Sequence, residues 1–419
     1  MSRAYEQSHP WLTFKVDLQQ KVEPAVWMLL GEARSKCDHL AGVPMKPEVA
    51  SHLLQVVLAK GVQGTTAIEG NTLTQEQVAA VVAGQKPAVP PSKAYQVQEI
   101  ENILAALNSL VLPELREGRL TALTKDRIKQ FNATVLKGLQ VEEGVVPGEV
   151  RTYSVGVLRY RGAPAGDCEY LLDRMCAWLE GDEFNATGEM LVPVAILKAI
   201  LAHLYLAWIH PFGDGNGRTA RLVEVQILAA AGLPNVACHV LSHHYNQTRS
   251  EYYRQLDRAS ASGGNVIPFI HYALRGLVDG LTEQLQLVRS QQWDVAWREH
   301  VYDKLRHVHD EAGRRMRELV LDLSRKDGPL AKKDLPNLSA GLAVAYSKKT
   351  EKTLSRDLNS LLKLELIVKE ADGYRARREQ ILAFLPLRNR RSLEAQESEG
   401  QDADSRLPST PSSSGNAEP

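Results

Sequence analysis

The residues of this chain that could do chemistry crowd into one short segment, His210-Pro-Phe-Gly-Asp-Gly-Asn-Gly-Arg-Thr-Ala-Arg221. Glycines 213, 215 and 217 allow positive φ and close approach of a ligand to the backbone. The first N–H groups of the following apolar helix, which runs on through Leu222 to Ala231, would face the loop as a nest for an anion. Arg218 and Arg221 are three apart and share a helix face, where planar guanidinium groups suit a polyphosphate. Asp214 offers a hard oxygen to Mg²⁺, and Asn216 a neutral amide to a phosphate oxygen. His210, at the mouth of the loop, could take the proton of an attacking hydroxyl as a bond to phosphorus forms, which makes it a candidate general base. The loop is not a P-loop, being one residue short with Arg where Lys is needed, and its glycines do not follow G-x-G-x-x-G. A glycine-rich helix-to-helix turn with a capping Asp would explain each residue singly, but not the whole set together.

These residues match, at every stipulated position, the HxFx[DE]GNGRxxR signature, so residues 90 to 280 resemble the Fic-domain proteins. That family is largely α-helical and typically transfers AMP from ATP to a Ser, Thr or Tyr hydroxyl of a target protein, releasing pyrophosphate. The resemblance implies ATP as substrate with Mg²⁺, His210 as base and Asp214 as metal ligand. It implies Asn216 and the backbone of Gly215, Gly217 and Arg218 on the α- and β-phosphates, Arg221 on the γ-phosphate, and Phe212 anchoring the loop in the core. It also implies that the segment with Arg151, Tyr153, Val155 and Val157 is the flap, which pairs with the target main chain by strand addition. Tyr252 and Tyr253 could supply an adenine-stacking ring or simply pack in the core, and His243 and His244 read as partly exposed surface histidines. Gly264 to Phe269 departs from the tryptophan-rich sequence often found there in the family.

Far upstream, Thr65-Thr-Ala-Ile-Glu69-Gly70-Asn71 resembles the family's [ST]xxxE[GN] inhibitory motif, although an ordinary helix C-terminus accounts for the same residues. A Glu69 carboxylate on Arg221 would take the guanidinium that the γ-phosphate needs, a built-in brake. The same carboxylate could instead align a water on an AMP-modified side chain, giving a deAMPylating hydrolase.

The elements that must position these groups are mostly helices. Val97, Ile100, Leu104, Leu107 and Val111 step by three and four, Thr124 precedes Ile128, Phe131 and Val135, and Asp167 precedes Leu171, Leu172, Met175 and Leu179 as a helix-start signal. Leu191 to Ile209 is apolar nearly all round, but Pro193, Lys198 and His203 interrupt it, which favours a buried central helix over a membrane span. Gly148 to Gly162 reads as a short hairpin, and the prolines of Ala83 to Pro91 as an extended connection. The expected organisation is a helical region with the inhibitory motif over 1–85, a Fic core over 90–285, a winged helix-turn-helix over 300–385 and a disordered Ser/Pro/Glu/Asp tail over 388–419. The fold class is mainly α, a Fic-type helical core with a β-hairpin flap plus the winged helix.

Composition fits this reading. Of 419 residues 44% are hydrophobic and 24% charged, with 50 basic against 50 acidic side chains, so no global field draws the chain to nucleic acid or membrane. The start lacks the pattern of a signal peptide, and the four cysteines fit neither a disulfide framework nor a zinc spacing, so a reducing cytoplasm is expected. Val301 to Arg378 is locally basic, with 18 Lys and Arg against 12 Asp and Glu. Its expected recognition helix, Ser347 to Asn359, carries Lys348, Lys349, Lys352 and Arg356 for DNA phosphates, so a DNA-binding regulator with a nucleotide-sensing core is the rival reading. Alternatively the module dimerises or presents targets, and the chain itself could be its own target.

Overall fold

The computed structural model describes residues 3–16, 23–112, 122–157 and 160–381. The expected tail over 388–419 lies outside them. The chain divides into two compact units, 1–289 and 290–419.

The first unit is built around two helices. In chain order it holds α1 (Ala4–Ser8), α2 (Pro24–Gly42), α3 (Pro47–Ala67), α4 (Gln75–Val82), α5 (Ala94–Ala106), α6 (Lys125–Val135), the strands β1 (Gly156–Val157) and β2 (Tyr160–Arg161), α7 (Ala165–Leu179), α8 (Leu191–Ile209), α9 (Asn216–Ala230), α10 (Asn235–Cys238), α11 (Val240–Gln247) and α12 (Arg249–Ala261). The next helix, α13, spans Ile267–Lys304. The apolar α8 is long enough to cross a membrane, but it forms the centre of the core, with Ile196, Ile200, Leu204 and Ile209 fully buried. Each residue that interrupts its apolar run has a local reason. Pro193 sits in the first turn, where no helical hydrogen bond is lost; Lys198 pairs with Glu180 at 2.8 Å; and His203 Nε2 lies 2.9 Å from the Tyr252 hydroxyl.

Residues before 85 share this core: Leu30, Val62, Ile68 and Val78 belong to the same hydrophobic cluster as Ile100, Phe131 and Leu201. The expected boundary between 85 and 90 therefore falls inside one packed unit, and Ala83 to Pro90 only bridges α4 to the short turn that opens α5. The glycines on α3 explain part of this. A Cβ at Gly61 would strike His239, and one at Gly64 the carbonyl of Ser242, so the bare positions let α3 lie directly against α11.

Two start signals have different outcomes. Thr124 caps α6 by accepting from the Arg127 N–H at 3.2 Å. Asp167 is not a cap: α7 begins two residues earlier, and its carboxylate accepts from the Tyr5 N–H at 2.8 Å and from Arg3 at 3.2 Å, tying down the N-terminal segment.

The second unit has its own core of Trp297, Leu319, Leu323, Leu342, Leu358 and Ile367. Beyond α13 it comprises α14 (Glu311–Leu323), α15 (Ala340–Ser347), α16 (Glu351–Lys363) and the antiparallel pair β3 (Ile367–Glu370) and β4 (Gly373–Ala376), with Leu330 bridging to Tyr374 at the edge. The expected helix over Leu305–Leu323 begins only at Glu311, capped by Asp310. The expected Ser347–Asn359 helix begins at Glu351, leaving Lys348 and Lys349 in the preceding turn. Arg315 grips the buried Asp357 with Nε and Nη2, both at 3.1 Å, and the Tyr346 hydroxyl donates to the same carboxylate at 2.9 Å.

Burial pushes His210, His239 and His244 each down to about 4. The unfolded chain titrates near 6.5, so between about pH 6.5 and pH 4 it binds more protons than the folded one, and stability falls as pH falls through that window. Melting temperature should drop from pH 7 to pH 4.5, with proton uptake on unfolding measurable by calorimetry in buffers of differing ionisation heat. A flat melting temperature between pH 7 and pH 5 would contradict the burial of these rings.

Candidate active site

The site starts where α8 stops. His210 takes a left-handed backbone, φ 49°, unusual for a residue other than glycine. It is held there from both sides: its N–H donates to Leu206 O at 2.9 Å, and its carbonyl accepts from Arg151 Nε at 2.8 Å. The ring Nδ1 lies 3.3 Å from Ala207 O. A carbonyl only accepts, so Nδ1 carries the proton and Nε2 keeps the lone pair. Burial holds the ring neutral at pH 7, with the Arg151 charge adding to the effect.

The loop from Pro211 to Gly215 is fixed from within. Phe212 is buried in the core. Asn216 opens α9, and its amide is engaged at both ends by the Phe212 backbone, accepting from N and donating to O, each at 2.9 Å. Its amide therefore shapes the loop through Oδ1 and one Nδ2 hydrogen, while the N–H groups of Asn216, Gly217 and Arg218 lie in the first turn, where a helix has no partner for them. Gly215 turns the chain at φ 75°. Asp214 is half exposed at 47% and accepts from the Gly215 N–H and from Arg218 Nη2 at 3.0 Å, all through Oδ1. Among the described residues no cluster of three or more His, Cys, Asp or Glu could cage a metal, so Mg²⁺ here would take one carboxylate from the protein and the rest from ligand and water.

The hairpin pairs Gly156 with Arg161 and Val157 with Tyr160; residues 158 and 159 lie outside the described residues. Tyr153, Val155 and Gly156 line the cavity beside it. Arg151 does not belong to this face. Its guanidinium, 4% exposed, donates to the carbonyls of His210, Tyr153, Ala163 and Ile209, and its backbone N–H to Pro211 O. It is the clasp between the base of the hairpin and the loop that follows His210, because five fixed donors can satisfy several converging carbonyls at once. On the outer side of β2, His9 Nε2 lies 2.8 Å from Arg161 O, which covers that edge.

Glu69 and Arg221, 152 positions apart, meet. Arg221 Nη2 donates to Glu69 Oε1 at 2.5 Å and to the Thr65 carbonyl at 2.8 Å. Burial pushes the Glu69 carboxyl up, but the charges of Arg221 and Arg218 outweigh this and hold it below its ordinary value; Glu69 in turn raises Arg221 against burial. The helix-end reading of the motif is also correct. Gly70, at φ 102°, donates to Ala67 O and Asn71 N to Thr66 O, a Schellman cap that turns Glu69 toward α9. The Glu69 carboxylate lies directly over Gly217, in space that a Cβ at that position would enter. Arg221 Nε and Nη1 and Arg218 Nε, all buried, have no acceptor among the described residues.

Arg218 points elsewhere than its partner. Its Nη1 donates to Glu99 Oε1 at 2.7 Å and its Nη2 to Asp214, so the two arginines do not present a joint fork. A cavity of about 1040 Å³ is walled by Glu69, His210, Asp214, Gly217, Tyr153, Tyr252 and Tyr253, among others. Tyr252 is buried with its hydroxyl spent on His203, so only its ring faces the cavity; Tyr253 is half-buried beside it. The side chain of Val157, expected in the flap, lies outside the described residues.

Several supporting residues escape a reading of motifs. Glu99 and Asn71 join Arg218 to the Glu69 segment, and Asn132 donates to Asp214 O at 2.9 Å while accepting from the Gly148 N–H. Asn132 did leave a signal, an amide amid the apolar stripe of Ile128, Phe131 and Val135. Glu224 left none: it lies buried on α9, accepting from the Tyr245 hydroxyl at 2.9 Å.

Residues 122–228 match the Fic/DOC family. Over 255 residues the chain is 29% identical to a protein adenylyltransferase Fic of Nematostella vectensis, an alignment covering 61% of this chain and 55% of that protein. It is 33% identical over 216 residues to protein adenylyltransferase fic-1 of Caenorhabditis briggsae, covering 50% and 38% respectively. The chain thus spans roughly two fifths to just over half of these relatives. A solved Fic family protein of Desulfovibrio desulfuricans G20 superposes with a TM-score of 0.52 at 23% identity, over 85% of this chain and 97% of that one. Residues 134–508 of Fic-1 from C. elegans superpose with a TM-score of 0.50 at 25% identity, over 63% and 73%. The segment that supplies His210, Asp214, Arg218 and Arg221 therefore lies within the match to the Fic/DOC family, in a helical fold similar to that of solved Fic proteins.

Proposed function

We propose that the protein is a protein adenylyltransferase that moves AMP from ATP to a hydroxyl side chain of a target protein, and that Glu69 restrains it. The observation that carries this reading is the unprotonated Nε2 of His210, held at the cavity by a donor bond on its other nitrogen, beside a helix N-terminus and a buried arginine with two unpartnered N–H groups. His210 takes the proton of the target hydroxyl as its oxygen attacks the α-phosphorus; pyrophosphate leaves, and the first-turn N–H groups of α9 hold the developing charge. Arg221 receives the γ-phosphate once Glu69 has moved. Mg²⁺, bound by Asp214 together with the phosphates, would offset charge on the leaving group. The ring faces of Tyr252 and Tyr253 suit the nucleobase. An extended target chain fits the outer edge of β1 at Gly156, which borders the cavity, whereas His9 covers the edge of β2.

In the second unit, three helices followed by a β-hairpin support a winged helix-turn-helix. Lys348, Lys352 and Arg356 are exposed, while Lys349 pairs with Glu311 at 3.3 Å, so the surface suits nucleic acid or a protein partner, a second copy included. The four cysteines are free and buried, which suits a reducing compartment.

The reading is tested by intact mass after incubation with Mg²⁺ and each nucleoside triphosphate in turn, on the wild type and on Glu69→Gly. The expected result is an added adenylyl group with ATP, far more in the variant. Loss of AMP from a pre-modified protein, and no gain from ATP, would reverse the assignment to hydrolysis.

A further inference from the structure

The contact between Glu69 and Arg221 is a single hydrogen bond across a cavity wall, and the Glu69 side chain is 31% exposed. Such a contact holds only as well as the backbone that presents it. That backbone is clamped on both sides of Glu69. Upstream, the Thr65 carbonyl accepts from Arg221 itself. Downstream, the buried Asn71 is fully committed: Nδ2 donates to Gln96 O and to Glu99 Oε2, each at 2.9 Å, and Oδ1 accepts from the Leu73 N–H at 3.0 Å. The other oxygen of Glu99 takes the bond from Arg218 at 2.7 Å. One carboxylate thereby joins the chain two residues past Glu69 to the other arginine of the catalytic helix. Burial pushes the Glu99 carboxyl above its ordinary range despite Arg218, so its charge depends on that partner.

We propose that Asn71 and Glu99 are positioning residues of the brake, a second latch that keeps Glu69 over Arg221 through Arg218. This rests on the reading of Glu69 as an inhibitor of transfer. Glu69 itself touches the guanidinium; Asn71 and Glu99 act only through it. A ligand that draws Arg218 toward its phosphates weakens the same latch, so nucleotide binding and release of the brake are coupled.

The discriminating variant is Asn71→Asp, which is isosteric and still accepts from Leu73 but can no longer donate to Glu99 and places a like charge against it. With Glu69 intact, it should raise self-modification several-fold, by less than Glu69→Gly does. In the Glu69→Gly background it should change nothing, because there is no brake left to hold. Amide exchange should speed up over residues 65–71 while α8 stays protected. An unchanged rate in Asn71→Asp, or a change of equal size in the Glu69→Gly background, overturns the latch. So does faster exchange spread evenly over the first unit, which would mark general destabilisation. Should Glu69→Gly itself show no transfer, the functional reading fails, and the exchange pattern alone decides whether Asn71 holds the segment.

Discussion

His210→Ala loses AMP transfer by roughly two to four orders of magnitude, the span that a positioned general base contributes, while nucleotide affinity stays within a few-fold of wild type. The split follows from where the ring sits. Its free Nε2 addresses the incoming hydroxyl, whereas the phosphates are left to the N-terminus of α9 and Arg221, and neither of these needs the imidazole. The backbone carbonyl of His210, which accepts from Arg151, survives the substitution, so the clasp on the hairpin remains. The measurement is single-turnover transfer in the Glu69→Gly background alongside calorimetric binding of a non-hydrolysable ATP analogue. Equal losses in both would remove His210 from the base role and make it part of the binding site.

Glu69→Gly raises transfer by about ten- to a hundred-fold, the equivalent of the 1.5–3 kcal/mol typical of a hydrogen bond to a charged group. Removing a carboxylate from an active site ordinarily costs activity, so the sign is the informative part. Freed of Glu69, the buried Arg221 has three nitrogens to offer a γ-phosphate, two of which have no partner in the restrained state. The gain should appear in turnover, since ATP can enter the braked site in a pose unfit for attack. Glu69→Gly with Arg221→Ala should fall back to low activity, because what the first change releases the second removes. A fully active double variant would show that the gain came from relieved crowding over Gly217 instead.

How far the site was legible differs residue by residue. The helix of α8, the turn at Gly215 and the start of α9 are local events, set by an apolar run, a glycine in the left-handed region and a free first turn; sequence spacing alone determines them. His210, Asp214 and Arg221 could be named from the same twelve positions because the chemistry of a phosphate cradle demands those types at those intervals. The Thr124 cap was likewise short-range and was read correctly.

What only the tertiary structure decided is who satisfies whom. Arg151 looked like a docking residue on a hairpin, yet it is a buried clasp, since four carbonyls from three segments converge on it only after folding. Asp167 carried a capping signal and went instead to hold the N-terminal segment. Asn216, read as a phosphate ligand, also ties the loop to the Phe212 backbone through both ends of its amide. Arg218 and Arg221, three apart on one face, were divided between Glu99 and Glu69, two carboxylates brought in by α5 and by the end of α3. The physical reason is common to all four cases: a buried polar group must be paired, and its partner is supplied by whichever segment packs against it, which local periodicity does not encode.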